Sequence, residues 1–143
     1  MCDTIYAAED ATIADPHVKV GIVAGDGGAV IWPQLIGYAR AKEYLMTGDP
    51  LTGKRAAEIG LVNHAVANDA LDDAVAAYAM KLRKGALQAI RHTKTSVNLA
   101  LKQVCLQVLD ASIAYEIETF RSADHTEAIN AFLEKREPNF QDK

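Results

Sequence analysis

The stretch DPHVKVGIVAGDGGAVIWP, residues 15–33, joins a histidine to a glycine turn and then to an apolar segment. Three of the four residues at 25–28 are glycine, which permits positive φ angles and a close approach of the backbone to another group. A helix that starts directly after the turn would point free N–H groups and its positive dipole end into it. That arrangement suits an anion, a thioester oxygen or a phosphate, although clustered glycines are more often a tight connection. The pattern is neither a P-loop nor a dinucleotide-binding fingerprint.

The composition is typical of one globular domain. The chain has 143 residues, of which 50% are hydrophobic and 24% charged, and its net charge is −4. This length suits a single core. Acidic and basic residues are mixed along the chain, so no basic stripe for nucleic acid or for a membrane surface is present.

Cysteines and histidines give no indication of a metal site or a disulfide. Cys2 and Cys105 lie far apart, and His64, His92 and His125 have no mutual spacing that indicates metal ligation. No apolar run is long enough to span a membrane, and the N-terminus lacks a signal-peptide pattern. We therefore expect a cytoplasmic protein with no metal and with neither a nucleic-acid nor a membrane partner.

Extended structure is predicted near the N-terminus and around residue 60. Residues 4–8 and 12–14 read as two short strands, which form either a hairpin or a pair of strand ends. Residues 29–48 are apolar and interrupted by proline and glycine, which predicts two short helices. Thr52 can cap a further short helix, Gly60 can end it in a left-handed conformation, and residues 61–66 are predicted to be extended.

From residue 70 onward the pattern is helical. An alanine-rich helix is expected to end at Gly85, a second to cover residues 86–101 and a third to include residues 106–120. Asp124 and Glu127 have the spacing of a capping box at the start of the last helix. The apolar residues at helical spacing predict buried faces on the last three helices. These residues are Leu87, Ile90, Val97 and Leu101; Leu106, Leu109, Ile113, Ile117 and Phe120; and Ile129, Phe132 and Leu133.

Several motifs, in order, resemble the enoyl-CoA hydratase/isomerase family, the crotonase superfamily. They are the Cys-Asp opening, the turn at 21–28, GYARAKEYLMTG at 37–48, AAEIGLVN at 56–63 and EAINAFLEKREPNF at 127–140. The resemblance implies an α/β fold, the C-terminal part of a crotonase-like (ClpP/crotonase) fold in which short β-structure is followed mostly by helices. Family members are nearly twice as long, so residues 1–143 are expected to form a single region, incomplete at its N-terminus. Strands and the glycine turn are expected in residues 1–28, and mainly helices in residues 29–143.

The resemblance also implies an acyl-CoA thioester substrate and a thioester enolate, held by two backbone N–H groups that act as an oxyanion hole. Those donors, and one of the two glutamates of typical hydratases, belong to the part of the family pattern that precedes Met1. No cofactor is implied, because CoA is carried by the substrate. The family makes trimer contacts through its long helix and its final helix, so a homo-oligomer (a trimer or a dimer of trimers) is expected.

His17 follows Pro16 at the position where hydratases of the family carry their second catalytic glutamate. Histidine titrates near neutral pH, which suits a general acid or base. The exchange argues against ordinary two-glutamate hydration, and the superfamily also isomerises, decarboxylates and hydrolyses diketones through enolates. The alternative interpretation is a half-buried histidine at the end of a strand, hydrogen-bonded to the backbone.

The remaining candidate residues lie in the turn, in the segment after it and in the last helix. Asp26 is a second candidate acid–base group, although a carboxylate bonded to turn amides is the commoner use. Trp32 is predicted to line the acyl pocket, with a place in the core as the alternative. By resemblance, Phe132 contacts the adenine of CoA and Lys135 its phosphates; a core phenylalanine and a solvated lysine are the alternatives. The glycines predicted to bind substrate are Gly25, Gly27 and Gly28.

The leading interpretation is an acyl-CoA-processing enzyme of this family, a lyase or isomerase. The alternative is a non-catalytic fragment or pseudoenzyme that binds acyl-CoA or only oligomerises.

Overall fold

The computed structural model describes residues 2–141 and divides the chain into two compact units. The first unit comprises the residues up to 13 together with 51–106, and the second comprises 14–50 together with the residues from 107 onward. The expectation of a single region over residues 1–143 stays a prediction. The elements in chain order are β1 (Tyr6–Ala8), β2 (Thr12–Ile13), a 3-10 turn (His17–Val20), α1 (Gly28–Ile36), α2 (Tyr38–Thr47), β3 (Leu51–Thr52), α3 (Gly53–Glu58), β4 (His64–Val66), a second 3-10 turn (Asn68–Ala70), α4 (Leu71–Arg83), α5 (Leu87–Thr119) and α6 (Ala123–Glu134).

Two strand pairs form the β-structure of the first unit. β1 pairs in parallel with β4, with Tyr6 opposite His64, and β2 pairs antiparallel with β3, with Ile13 opposite Leu51. Of the two alternatives for the first two strands, the hairpin is therefore wrong, because each strand pairs with a partner beyond residue 50. Alternating residue types indicate which segments are extended, but tertiary packing selects a partner so distant in sequence.

Local signals predict α3 and its ends correctly. The Thr52 hydroxyl accepts a hydrogen bond from the N–H of Arg55 at 3.1 Å, and Gly60 follows the helix in a left-handed conformation at φ 85°. Gly53 is needed for close packing, because a Cβ there would lie 1.9 Å from the carbonyl oxygen of Ala8. The buried apolar residues of this unit are Ala7, Ala8, Leu51, Ala56, Ile59, Leu61 and Val62.

In the second unit a 3-10 turn leads into the glycine segment. His17 begins this turn, so the alternative interpretation, which put it at the end of a strand, is wrong in that respect. Gly21 ends the turn at φ 70°, with its N–H directed to the carbonyl oxygens of His17 and Val18. The carbonyl oxygen of Val20 accepts a hydrogen bond from Nδ1 of His125 at 2.6 Å, which ties α6 to the turn. The two short helices predicted after the glycines are confirmed as α1 and α2.

α5 is one helix of 33 residues where the sequence predicts two. Its sequence contains neither glycine nor proline, so no local signal ends it. The predicted apolar face is wrong for the C-terminal part of the helix, because Leu106 is 67% exposed whereas Ser112 is buried and Glu116 half-buried. Among residues 2–141, no helix combines the length and apolar character that crossing a membrane requires.

α6 begins at a different cap from the predicted one. Ser122 is its N-cap, and the serine hydroxyl accepts a hydrogen bond from the N–H of His125 at 3.0 Å. Glu127, which the capping-box spacing assigned to the helix start, accepts hydrogen bonds from the Arg136 guanidinium and from the N–H of Asn139 instead. The carboxylate therefore holds the C-terminal segment against the helix.

The packed side of α6 consists of small residues. Ala128 and Ala131 are buried, whereas the predicted apolar residues Ile129, Phe132 and Leu133 are exposed. Side chains as small as alanine let a helix approach its neighbours closely, and this packing overrides the apolar spacing. The larger apolar residues of α6 therefore lie on its exposed side.

Candidate active site

Four charged side chains of the second unit meet beside the glycine turn, and we call them the histidine cluster: Asp15, His17, Asp26 and Glu116. Nδ1 of His17 lies 2.5 Å from Oδ1 of Asp15, and Nε2 lies 3.7 Å from Oδ1 of Asp26. One ligand atom from each of His17, Asp26 and Glu116 lies within 4.8 Å of the other two. The ring thus has a carboxylate on one nitrogen and two further carboxylates nearby.

Three separate segments bring these residues together. Asp15 and His17 flank Pro16, which directly precedes the 3-10 turn, and the backbone N–H of His17 also points to Oδ1 of Asp15 at 3.5 Å. Asp26 lies in the turn before α1, and Glu116 lies in the last turns of α5. The hydroxyl of Thr119 accepts a hydrogen bond from the N–H of Val23 at 3.1 Å, which fixes α5 against the loop.

The backbone of the turn differs from the expected one. None of its three glycines has a φ in the left-handed region, and Gly27 is extended at φ 166°. The N–H of Ala29 donates to the carbonyl oxygen of Ala24 at 3.0 Å. The N–H groups of Val30 and Ile31 both donate to the carbonyl oxygen of Gly27. The expectation that these N–H groups point free into the turn is therefore wrong.

Close packing explains two of the three glycines. A Cβ at Gly25 would lie 2.4 Å from the carbonyl oxygen of Ser112 and 2.7 Å from Cβ of Glu116. Gly25 thus lets the loop lie directly on α5, which places Glu116 beside His17. A Cβ at Gly28 would clash with the Asp15 carboxylate, because it would lie 2.1 Å from Oδ2. Among the described residues, nothing lies within 4 Å of the place a Cβ would take at Gly27.

The surroundings of His17 favour its protonated form. Burial lowers the pKa of His17, but the hydrogen bond with Asp15 and the negative charges of Asp15, Asp26 and Glu116 outweigh burial, so the pKa lies above the ordinary 6.5. The Asp15 side chain is 11% exposed and Asp26 65% exposed. Because water screens an exposed charge, Asp15 is the stronger of these two partners. The cluster therefore stabilises a proton on His17 more than water does, and the ring can pass that proton to a neighbouring group.

The same trio of ligand atoms could also hold a cation. An imidazole nitrogen with two carboxylate oxygens is a donor set that divalent metals accept. The two carboxylates equally balance the charge of a protonated imidazole, and the raised pKa of His17 fits that use. The sequence-based expectation of no metal considered only the spacing of the other histidines, and it stays a prediction.

The other candidate residues lie outside the cluster. Trp32 is half-buried on α1, with its ring centroid 6.3 Å from that of Tyr44. Phe132 is 81% exposed on α6, so the core alternative for this residue is wrong. Lys135 is exposed at the C-cap of α6, with a left-handed backbone at φ 55°.

Sequence reasoning named His17 and Asp26 as candidates but did not name Asp15 or Glu116, which the structure brings beside them. For Asp15 a signal existed: an aspartate two residues before a histidine, across a proline, can reach the imidazole. Glu116 gave only a weak signal, because it interrupts an apolar helix pattern 88 residues after Gly28, the last residue of the turn. The packing of α5 on Gly25 alone places that glutamate in the cluster.

Comparisons with known proteins identify related sequences. The sequence model of the family "Enoyl-CoA hydratase/isomerase" matches residues 1–143. A protein of Syntrophomonas wolfei named "Crotonyl-CoA hydratase" is 33% identical over 146 residues, which cover 99% of this chain and 55% of that protein. The chain spans about half the length of the curated relatives it matches.

Solved structures show the same architecture. A crystal structure of an enoyl-CoA hydratase/isomerase from Mycobacterium paratuberculosis is 39% identical with a TM-score of 0.82, covering 90% of this chain and 51% of that one. An enoyl-CoA hydratase from Mycobacterium avium subsp. paratuberculosis is 26% identical with a TM-score of 0.91, covering 99% of this chain and 57% of that one. The predicted fold, the C-terminal part of a crotonase-like α/β fold with short β-structure and mostly helices, is confirmed.

Proposed function

The chain belongs to the enoyl-CoA hydratase/isomerase family, and from that membership we propose that it acts on acyl-CoA thioesters through a thioester enolate, as a lyase or isomerase. The relative named crotonyl-CoA hydratase supports an unsaturated acyl-CoA as the substrate class. Because the chain spans about half the length of such relatives, the proposal concerns the groups that residues 1–143 contribute to the reaction. These are a proton-transferring cluster and a CoA-contacting helix.

The histidine cluster is the observation that carries the proposal. Neutral His17 takes a proton from water or from a carbon near the thioester, and the resulting imidazolium is stabilised by Asp15, Asp26 and Glu116. His17 then returns the proton to a carbon of the enolate. One group that takes and returns a proton suits isomerisation, and the carboxylates of Asp26 and Glu116 offer a second proton carrier for hydration.

We assign CoA recognition to the exposed end of α6. Phe132 presents an aromatic face that suits the adenine ring, and Lys135 presents an ammonium that suits a phosphate. Both side chains are exposed, as groups that wait for a ligand must be. We assign Trp32, which is half-buried beside Tyr44, to contact with the acyl chain of the substrate.

We assign subunit contacts to α5. Leu99, Leu106 and Ile113 recur at intervals of seven residues on α5 and are all exposed, and the exposed Phe120 follows directly after the end of the helix. Such a stripe is typical of a helix face that packs against another helix. A homo-oligomer is therefore expected, and analytical ultracentrifugation of wild type and Leu106→Glu tests it. A monomeric wild-type chain would contradict this assignment.

Turnover and binding by the purified chain test the proposed function. The chain is mixed with crotonyl-CoA, a β,γ-unsaturated acyl-CoA and a β-diketone, and absorbance reports the conjugated groups, while calorimetry measures CoA binding. Turnover of an acyl-CoA is expected, and dialysis against EDTA should leave it unchanged. Binding without turnover would favour the non-catalytic alternative. The absence of both CoA binding and turnover would overturn the proposal.

A further inference from the structure

We infer that Asp15 is a positioning residue, which holds His17 in the tautomer with its proton on Nδ1 and leaves Nε2 as the proton-transferring atom, and that Gly28 makes room for it. The inference rests on the proposed function for its consequence in turnover. The contact itself exists in the chain without any substrate. Asp15 is thus assigned a role through His17 rather than on the substrate.

The contact between the two side chains determines which nitrogen carries the proton. An ionised carboxylate has no hydrogen to donate and only accepts. Because Nδ1 of His17 lies 2.5 Å from Oδ1 of Asp15, Nδ1 must be the donor. The backbone N–H of His17 points to the same oxygen at 3.5 Å, so the carboxylate is directed at both the ring and the backbone of one residue.

The second oxygen of Asp15 explains Gly28. Oδ2 lies at the first residue of α1, where a Cβ would come within 2.1 Å of it. Any side chain at position 28 would therefore push the carboxylate away from the ring. The start of a helix carries a positive partial charge, which favours a carboxylate in that place. The anion at the start of α1 is thus a side chain of the protein itself.

The second nitrogen of the His17 ring, Nε2, is available for proton transfer. Nε2 lies 3.7 Å from Oδ1 of Asp26, beyond hydrogen-bond distance, and Asp26 is exposed. A proton on Nδ1 makes Nε2 the acceptor in the neutral ring. Asp15, by contrast, is largely buried and engaged with His17, which excludes it as a group that contacts substrate.

Nuclear magnetic resonance of the chain labelled with ¹⁵N-histidine tests the inference without substrate. Long-range ¹H–¹⁵N spectra, recorded above the pKa of His17, distinguish a protonated nitrogen from an unprotonated one, and His17→Gln identifies the signals. The wild type is expected to carry its proton on Nδ1. A wild-type spectrum with the proton on Nε2 would overturn the inference, whether or not any variant folds.

Variants test the cause of the tautomer. Asp15→Ala and Gly28→Ala are expected to move the neutral ring towards the Nε2–H form, which a free imidazole side chain prefers in water. Asp15→Asn replaces one carboxylate oxygen by an amide N–H donor, so it is expected to move the proton to Nε2 as Asp15→Ala does. Asp10→Ala, which changes an exposed aspartate of the first unit, is the matched control and should leave the spectrum unchanged. An unchanged tautomer in folded Asp15→Ala would refute the inference.

Turnover separates this inference from the proposed function. Where acyl-CoA turnover is measured, Asp15→Ala should lower kcat by a factor on the order of 10² to 10⁴, as expected when a catalytic histidine is held in the wrong tautomer, with KM nearly unchanged. A wild type that shows the Nδ1–H tautomer but no turnover would contradict the proposed function alone. Turnover that persists at the wild-type kcat in folded Asp15→Ala would contradict the positioning role alone.

Discussion

The histidine cluster and the exposed end of α6 are both assigned to function, yet they are built in opposite ways. In the cluster, three segments converge so that three carboxylates surround one half-buried imidazole. On α6, Phe132 and Lys135 extend from a helix whose packed side consists of alanines. Proton transfer needs fixed distances between groups, whereas a binding surface needs exposed groups that a ligand can reach. Substitutions should therefore affect the two regions differently.

Removal of the imidazole should give the largest effect. His17→Ala is expected to lower acyl-CoA turnover by on the order of 10²–10⁴-fold, the usual contribution of a general acid or base. The free energy of unfolding should change far less, because His17 is only half-buried. Steady-state kinetics and urea denaturation measure the two quantities. His92→Ala, at an exposed position of α5, is the control; turnover that survives in His17→Ala would remove the cluster from the mechanism.

A methyl group at Gly25 should give the next largest effect. Gly25→Ala places a Cβ against the carbonyl oxygen of Ser112, and overpacking of this kind costs about 1–3 kcal/mol of unfolding free energy. Gly27→Ser is the matched control, because that position has space and serine is a good N-cap, so its cost should stay below about 0.5 kcal/mol. Urea denaturation measures both variants. Equal stability of the two would show that α5 does not press on the turn.

Truncation on α6 should act on binding alone. Phe132→Ala is expected to weaken CoA binding by about 1 kcal/mol, the worth of an aromatic contact, and to change unfolding by less than about 0.5 kcal/mol. Leu133→Ala removes a neighbouring side chain that is 72% exposed and should leave both quantities unchanged. Calorimetric titration with CoA measures the affinity. Equal affinities of both variants and wild type would exclude Phe132 as the adenine contact.

The pH dependence of stability should show the smallest effect. The folded pKa of His17 lies above 6.5, so the folded state binds this proton more tightly than the unfolded chain does. The stability that it contributes is present in full below pH 6.5 and is lost as the pH rises through the folded pKa. The difference in unfolding free energy between wild type and His17→Gln should therefore shrink as the pH rises through this window. Urea denaturation at several pH values measures it, and a difference that grows with pH would contradict the assigned charges.

The ends of α3 were predicted well because their signals are local. The Thr52 cap and the left-handed Gly60 depend on residues within a few positions of each other, and the structure confirms both. The faces of α5 and α6 were predicted wrongly because burial depends on what lies opposite. Ser112 is buried because Gly25 packs closely against its turn of α5. On α6, Ala131 is buried while Phe132 is exposed. Apolar spacing alone does not carry that information.

For the candidate site, the sequence by itself determined the residue types: a histidine directly after a proline, followed by an aspartate in a glycine turn. The tertiary structure alone decided its partners, because Glu116 comes from a distant helix and reaches the ring only where Gly25 lets that helix approach. It also decided what the glycines are for. Backbone freedom can be read from residue type, but the space that a missing Cβ leaves is defined by the atoms around it, which here include the carboxylate of Asp15.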